Sequence, residues 1–218
     1  ALGNVLRGVP LNASGFFEMP LWTTFGTGGA LGILDWYTVL IGVFALVTIA
    51  GHGALFLAWK TEGPVHDQAR ALVMKLWSAV LVLWMVASYA TSVVSPEIFR
   101  HLPQAPLAWL AILIFLAGLA LVFVGTRQEK PLMAFLGSSA FILGLLAASA
   151  ACVYPVMLKS TLDPAFSLTA LNASVGAHGL RAGLVWWLIG FPIAVGYFVL
   201  LFRFHRGKVK AAAEGEGY

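Results

Sequence analysis

The sequence is poor in charged residues and in cysteine, and each shortage excludes a class of protein. Asp, Glu, Lys and Arg together make up 10% of the 218 residues, against about 25% in soluble domains. The single cysteine, Cys152, stands inside an apolar run, so the chain forms no internal disulfide and has no cysteine-rich metal site. These shortages exclude an ordinary soluble domain and a disulfide-stabilised secreted scaffold.

Carboxylates are absent from the middle of the apolar runs. The nine Asp and Glu residues lie at the ends of runs, in connecting segments or in the tail, at Glu18, Asp35, Glu62, Asp67, Glu97, Glu129, Asp163, Glu214 and Glu216. Proton pumps and ion-coupled transporters normally need a carboxylate within the membrane. By itself, this segment is therefore a poor candidate for either function. The sequence also has no recognisable phosphate loop, zinc-ligand pair or nucleophile–base pair.

Hydrophobic residues make up 60% of the chain and are concentrated in five continuous runs. The runs cover residues 34–59, 72–94, 107–124, 132–158 and 184–202. A hydrocarbon core of about 30 Å needs roughly 20 helical residues. The runs lack the alternation of apolar and polar residues that is typical of the strands of membrane β-barrels. The sequence therefore predicts an all-α, polytopic membrane protein with five transmembrane helices.

Two longer connecting segments, residues 7–32 and 159–183, are rich in Gly, Ser, Thr, Asn and aromatic residues. Functional residues are concentrated in such loops. The sequence begins without a Met, a charged leader region or a signal-peptide core. We interpret residues 1–6 as the last turn of an earlier helix and expect further residues upstream; a processed N-terminus is the alternative.

The basic residues predict the orientation of the chain. One side of the membrane holds nine of them, Lys60, Arg70, Lys75, Arg127, Lys130, Arg203, Arg206, Lys208 and Lys210, and the other holds four, Arg7, Arg100, Lys159 and Arg181. Because the richer side is normally cytoplasmic, we expect an external N-terminus and a cytoplasmic C-terminus. This placement explains the net charge of +4 without a nucleic-acid partner. We interpret residues 203–210 as a stop-transfer anchor near anionic lipid.

His52 is the one histidine inside an apolar run, and its neighbours Gly51 and Gly53 allow another helix to approach closely. One hypothesis makes His52 a haem or metal ligand or a proton-relay group. Ligation of haem by two histidines would need a second histidine on a facing helix, and the others lie in connecting segments or the tail, at His66, His101, His178 and His205. The pattern favours a histidine that is hydrogen-bonded between helices.

Small residues are also spaced for close contacts between helices. Gly118 and Gly125 lie in the third apolar run, and Gly137 and Gly144 lie in the fourth. Glycines at such spacing allow two membrane helices to approach closely. The spacing predicts close contacts between helices at these positions.

Three patches of the chain match a known family in order and spacing. Residues 3–10 read G-N-V-L-R-G-V-P, residues 52–63 contain H-G-A-L-F-L and K-T-E-G, and residues 154–173 contain Y-P, D-P, S-L-T and N-A. With these patches the chain resembles subunit II of the bacterial cytochrome bd-type quinol oxidases. The candidate buried polar or family-motif residues are Asn4, His52, Lys60, Glu62, Tyr154, Asp163 and Asn172.

The resemblance implies a subunit of nine helices, made of two four-helix bundles and one peripheral helix, of which this chain supplies helices five to nine. The implied divisions are residues 1–33, the end of a preceding helix and an external loop; 34–158, a four-helix transmembrane bundle; 159–183, an external loop; and 184–218, the last transmembrane helix and a basic cytoplasmic tail. Lys60, Thr61 and Glu62 are interpreted as a helix terminus and a cytoplasmic turn.

The resemblance also implies a division of chemistry between two subunits. Haem b, haem d and the quinol-oxidising loop belong to subunit I, the partner, whereas subunit II binds no haem and no metal. Membrane lipid, and a quinone at the surface, are further expected contacts. The carboxylates for proton delivery lie on earlier helices of the family, so no catalytic residue is carried over. The implied location is the bacterial cytoplasmic (inner) membrane.

The predicted function is therefore that of a haem-free subunit of a quinol:oxygen oxidoreductase in aerobic respiratory electron transport. A fragment of a small-molecule transporter is the alternative. It would need a broken helix and a polar pocket near mid-membrane, and Phe191-Pro192 is the hint of a break. A structural membrane protein without an enzyme partner is the third hypothesis.

Overall fold

A computed structural model describes residues 1–209 of the chain. The end of the predicted basic tail, with Lys210, Glu214 and Glu216, lies outside the described residues. Within residues 1–209 there are seven α-helices: α1 (Leu2–Arg7), α2 (Trp36–Lys60), α3 (Pro64–Val94), α4 (Pro96–His101), α5 (Pro106–Arg127), α6 (Pro131–Val153) and α7 (Ala177–Phe204). The chain also has two short strands, β1 (Val156–Leu158) and β2 (Leu168–Thr169), and 3₁₀ turns at Leu102–Gln104 and Pro164–Phe166.

Five of the helices, α2, α3, α5, α6 and α7, are long and apolar enough to cross a membrane. They coincide with the five predicted runs, and the prediction of an all-α, polytopic membrane protein is confirmed. Proline stands at the first position of α3, α5 and α6. Proline suits that position because its missing N–H would have no partner within the helix.

The helix ends differ from the predicted runs in three places. α3 begins at Pro64 and α7 at Ala177, because the helices continue into polar residues beyond the apolar runs. α6 ends at Val153 instead of residue 158. Pro155 cannot continue a helix, and Val156–Leu158 forms β1, which pairs antiparallel with β2. The four-helix bundle therefore ends before the predicted boundary at residue 158.

The bundle has two ends, which are named here by what lies at each. At the loop end α2 begins and α3 ends, and the segments 7–34 and 154–176 lie there. At the Lys60 end α2 finishes at Lys60 and α3 begins at Pro64. α5 runs from the loop end to the Lys60 end, and α6 returns.

The core forms between two antiparallel helix pairs, α2 with α3 and α5 with α6, and α2 also packs on α6. Trp77 of α3 is fully buried and meets Phe141 of α6 edge to face at 5.4 Å between ring centres. Phe115 of α5 contacts the same ring at 6.0 Å. These aromatic contacts join the two pairs into one four-helix bundle.

α7 lies at the periphery of the bundle, and none of its residues is buried. An aromatic contact joins α7 to the bundle: Phe202 stacks on Trp59 of α2, with 6.3 Å between ring centres. α7 is continuous across Pro192. The helix break that the transporter hypothesis needs is therefore not present in α7.

Candidate functional site

The structure separates the predicted site residues into three places. Asn4, Tyr154, Asp163 and Asn172 lie at the loop end, His52 lies within α2, and Lys60 and Glu62 lie at the Lys60 end. These seven residues therefore do not form one cluster. Each place is described in turn.

The loop end contains a buried ion pair between Arg7 and Asp35. Arg7 is 3% exposed and Asp35 is 0% exposed. The Arg7 guanidinium also donates to Asn4 Oδ1 at 2.7 Å and to the Gly32 carbonyl at 3.2 Å. Asn4 Nδ2 in turn donates to the Ile33 carbonyl at 3.1 Å. The network fixes α1 against the segment that leads into α2.

Asp35 has a second role at the start of α2. Its Oδ1 accepts a hydrogen bond from the Thr38 N–H at 2.8 Å, and Thr38 Oγ1 accepts from the Asp35 N–H at 2.9 Å. This reciprocal cap satisfies backbone donors that the first turn leaves free. Burial lowers the pKa of the Arg7 guanidinium from its ordinary value, the direction expected when a cation leaves water. One carboxylate therefore both begins the helix and balances a buried cation.

Two of the three family-like patches contact each other at the loop end. The Val9 N–H donates to the Lys159 carbonyl at 3.0 Å, and the Thr161 N–H donates to the Val9 carbonyl at 2.9 Å. Ser160 Oγ donates to the Leu11 carbonyl at 2.9 Å. Gly8 has φ of +100°, and a Cβ there would lie 3.0 Å from the Lys159 carbonyl oxygen. A glycine is therefore required where the two segments meet.

Asp163 and Asn172 shape the loop between α6 and α7. Asp163 Oδ1 accepts from the Ala165 N–H at 2.8 Å. Asn172 Oδ1 accepts from the Thr169 N–H at 2.7 Å, and its Nδ2 donates to the Ser167 carbonyl at 3.0 Å. Such side-chain contacts with nearby backbone are typical of turns. Tyr154, at the end of α6, is exposed.

His52 joins α2 to α6. Its Nδ1 lies 2.7 Å from Ser138 Oγ, and its ring stacks on Phe135 with 4.8 Å between ring centres. Ser138 Oγ also lies 2.6 Å from the Phe135 carbonyl, which can only accept. Since a hydroxyl has one proton, Ser138 donates to Phe135 and His52 Nδ1 donates to Ser138. This is the interhelical hydrogen bond that the sequence favoured.

We expect His52→Ala to lower the free energy of unfolding by about 0.5–1.5 kcal/mol, the net contribution of one such hydrogen bond. A double-mutant cycle of His52→Ala and Ser138→Ala should show a coupling of about 0.6 kcal/mol. Equilibrium unfolding in detergent micelles measures both values. Strictly additive effects of the two variants would contradict a direct bond between these side chains.

At the Lys60 end, Lys60 and Glu62 hold the segment that follows α7. Lys60 Nζ donates to the His205 carbonyl at 2.9 Å and to the Gly207 carbonyl at 3.3 Å. The Val209 N–H donates to the Lys60 carbonyl at 2.7 Å, and the Glu62 N–H donates to the Val209 carbonyl at 3.1 Å. These contacts belong to a helix terminus and the turn that follows it.

The other histidines lie at helix ends or beyond, and three of them, His66, His101 and His178, stand inside helices and not in the loops where they were predicted. His66 lies in the first turn of α3 and His101 is the last residue of α4, while His178 is in the first turn of α7 and His205 follows it. In the part of the chain that the structure describes, no group of three or more His, Cys, Asp and Glu side chains is placed to hold a metal ion.

The sequence did not single out the Arg7–Asp35 pair. Arg7 belongs to the family-like patch of residues 3–10, and Asp35 stands directly before an apolar run with Thr38 three residues later. The second pattern is a sequence signal for a helix N-terminus. Neither pattern indicates that the two charges meet in a buried position.

An apolar cavity of about 380 Å³ lies at the loop end of the bundle. Side chains of every helix except α7 line it, and they include Phe44, Trp84, Phe115 and Leu145. The polar groups at its wall are few, among them Thr91 and Ser149. The cavity has the apolar lining of a site for a hydrophobic molecule.

Comparison with known proteins identifies one family. The family model described as cytochrome bd terminal oxidase subunit II matches residues 1–205. Over 176 residues the chain is 27% identical to cytochrome bd ubiquinol oxidase subunit 2 of Bacillus subtilis, with 79% of this chain and 50% of the relative covered. Over 200 residues it is 25% identical to cytochrome bd-I ubiquinol oxidase subunit 2 of Escherichia coli, with 80% and 52% covered.

A further relative is the probable cytochrome oxidase subunit 2 of Haemophilus influenzae, which is 23% identical over 236 residues, with 97% of this chain and 61% of the relative covered. The chain thus spans about half the length of the first two relatives and 61% of the third.

Proposed function

Because this chain belongs to the cytochrome bd terminal oxidase subunit II family, we propose that it is a haem-free subunit of a quinol:oxygen terminal oxidase. The observation that carries the proposal is the family match over residues 1–205. This range includes both the four-helix bundle and α7. The chain is a multi-pass membrane protein with five spans. In the complex, electrons pass from quinol through haems in the partner subunit to oxygen, and this chain supports that partner within the membrane.

The assignment of haem b and haem d to the partner, subunit I, is supported by the surroundings of His52. A haem iron held by two histidines needs both rings on facing helices, and the remaining histidines are at helix ends or beyond. His52 Nδ1 is already bonded to Ser138 Oγ at 2.7 Å. The position of His52 therefore fits a structural hydrogen bond between α2 and α6 better than a metal ligand.

The proposed orientation places the Lys60 end in the cytoplasm. Basic residues flank this end at Lys60, Arg70, Arg127, Lys130, Arg203, Arg206 and Lys208, with Lys75 farther along α3. At the loop end there are four, Arg7, Arg100, Lys159 and Arg181. The positive-inside rule supports a cytoplasmic C-terminus, and membership of the family supports a location in the bacterial inner membrane. We also retain the four divisions of the chain that the family resemblance implies. In the structure the last helix of the bundle, α6, ends at Val153.

A quinone and membrane lipid are the further contacts that we propose. The cavity of about 380 Å³ at the loop end is lined mainly by apolar side chains. Such a lining suits the isoprenoid tail of a quinone or an acyl chain.

The experiment that tests the proposed function is purification of the full-length protein from its host membrane in mild detergent. We expect a haem-bearing subunit to co-purify, with haem bands in the visible spectrum and quinol-dependent oxygen uptake. The full-length chain expressed without the partner should show no Soret band. Recovery without any haem protein or oxygen uptake would contradict the oxidase assignment, and a stoichiometric Soret band from the isolated chain would contradict the haem-free assignment.

A further inference from the structure

A second cavity, of about 230 Å³, lies at the Lys60 end of the bundle. It is bordered by the end of α2, the beginning of α3, the end of α5 and the beginning of α6, and Lys208 reaches it from the segment after α7. Its inner wall is apolar and includes Leu55, Val73 and Ala134. The cavity therefore combines an apolar interior with the surface of the protein at the level where helices leave the membrane.

The rim of this cavity carries an excess of positive charge. Arg70, Lys130 and Lys208 are three cations at the wall, and Glu129 is the carboxylate beside them. Glu129 forms an ion pair with Arg70, but the two side chains are 69% and 50% exposed. Exposed ion pairs are weak, so another anion can replace the carboxylate on Arg70.

His66 also lines the cavity. Its Nδ1 donates to the Ala58 carbonyl at 2.8 Å, which holds the ring at the junction of α2 and α3. The permanently charged cations of the rim are one arginine and two lysines. Arginine binds phosphate oxygens through two parallel hydrogen bonds, and lysine binds them as a compact charge.

We propose that this cavity binds the phosphate group of an anionic phospholipid. One water occupies about 30 Å³, so a cavity of about 230 Å³ is much larger than a single small ion needs and has room for a glycerol phosphate. The apolar inner wall offers a surface for the start of an acyl chain. Basic pockets between membrane helices on the cytoplasmic side bind such headgroups.

The test uses the full-length protein, purified with whatever subunits it retains and stripped of lipid in detergent. Three probes are added separately: dioleoyl phosphatidylglycerol, dioleoyl phosphatidylcholine and sodium phosphate. Binding is measured from the rise in Tm with probe concentration, since a ligand of the folded state stabilises it by mass action. Native mass spectrometry counts the lipids retained. We expect phosphatidylglycerol to raise Tm and to be retained, and the other two probes to have much smaller effects.

Two double variants separate this cavity from general surface charge. Arg70→Gln with Lys130→Gln removes two cations of the rim and should weaken phosphatidylglycerol binding about tenfold or more. Lys75→Gln with Arg127→Gln removes two cations that do not line the cavity and should leave the affinity unchanged. Equal affinity of the rim variant and the parent protein would overturn the proposal, as would an equal loss in the control variant.

Glu129→Gln provides a gain of binding that misfolding cannot produce. The change removes the carboxylate that competes for Arg70, so phosphatidylglycerol affinity should rise about threefold, as expected for the loss of one weak ion pair. Unchanged or weaker binding would contradict the role of Arg70. A Tm rise with sodium phosphate equal to that with phosphatidylglycerol, at equal concentration, would overturn the lipid as the ligand. None of these measurements depends on haem content or oxygen uptake.

Discussion

Asp35→Asn is expected to lower the free energy of unfolding by about 3–5 kcal/mol, the loss that follows when one partner of a buried ion pair is neutralised. Arg7 and Asp35 are 3% and 0% exposed, so the remaining guanidinium would stay buried without its counter-ion. Asparagine keeps the side-chain oxygen that accepts from the Thr38 N–H, so the helix cap is preserved. Denaturant titration in detergent micelles, followed by tryptophan fluorescence, measures the loss.

The exposed pair between Arg70 and Glu129 provides the matched control for this substitution. Glu129→Gln also neutralises one acidic partner of an arginine, but it should change the free energy of unfolding by about 0–1 kcal/mol in lipid-free detergent. Arg7→Met combined with Asp35→Asn should recover part of the loss, because no unbalanced charge then remains buried. If Asp35→Asn and Glu129→Gln had equal effects, the buried pair would not contribute as argued.

Hydropathy and length were sufficient to predict the five spans, since crossing the hydrocarbon core imposes a length on every helix. Two helix starts lie within one residue of the predicted runs, at Pro106 and Pro131, whereas α3 begins at Pro64, eight residues before its run. The end of α6 was not recognisable, because Val156–Leu158 is as apolar as the helix before it. Short apolar runs do not distinguish strand from helix, and β1 depends on a partner, β2, farther along the chain.

The contacts of the candidate residues were less predictable than the helices. His52 meets Ser138 across 86 positions of the chain, and a bond between helices was expected without knowledge of its partner. Arg7 and Asp35 meet because α1 packs beside the start of α2, and neither residue has a local signal for that contact. Sequence patterns describe neighbours along one helix, whereas a buried charge pair depends on how separate segments pack.

Gly118→Ala is expected to destabilise the bundle by about 1–3 kcal/mol through overpacking. A Cβ at Gly118 would lie 2.5 Å from the Phe141 backbone nitrogen and 2.6 Å from the Gly137 carbonyl oxygen. These are backbone atoms of α6, so no side-chain rotation can relieve the contact and the two helices must separate. The same titration measures the change. The close contact agrees with the glycine spacing seen in the sequence.

Gly42→Ala is the matched control, because it adds the same methyl group to another membrane helix. No atom lies within 4 Å of a Cβ at Gly42, and alanine is favoured over glycine within a helix by about 1 kcal/mol. The control should therefore be neutral or stabilising, while Gly118→Ala loses stability despite the same gain in helix propensity. Equal effects of the two variants would mean that α5 and α6 are not held at the distance seen in the structure. A loss confined to Gly118→Ala would show that close backbone contact between α5 and α6 stabilises this half of the bundle.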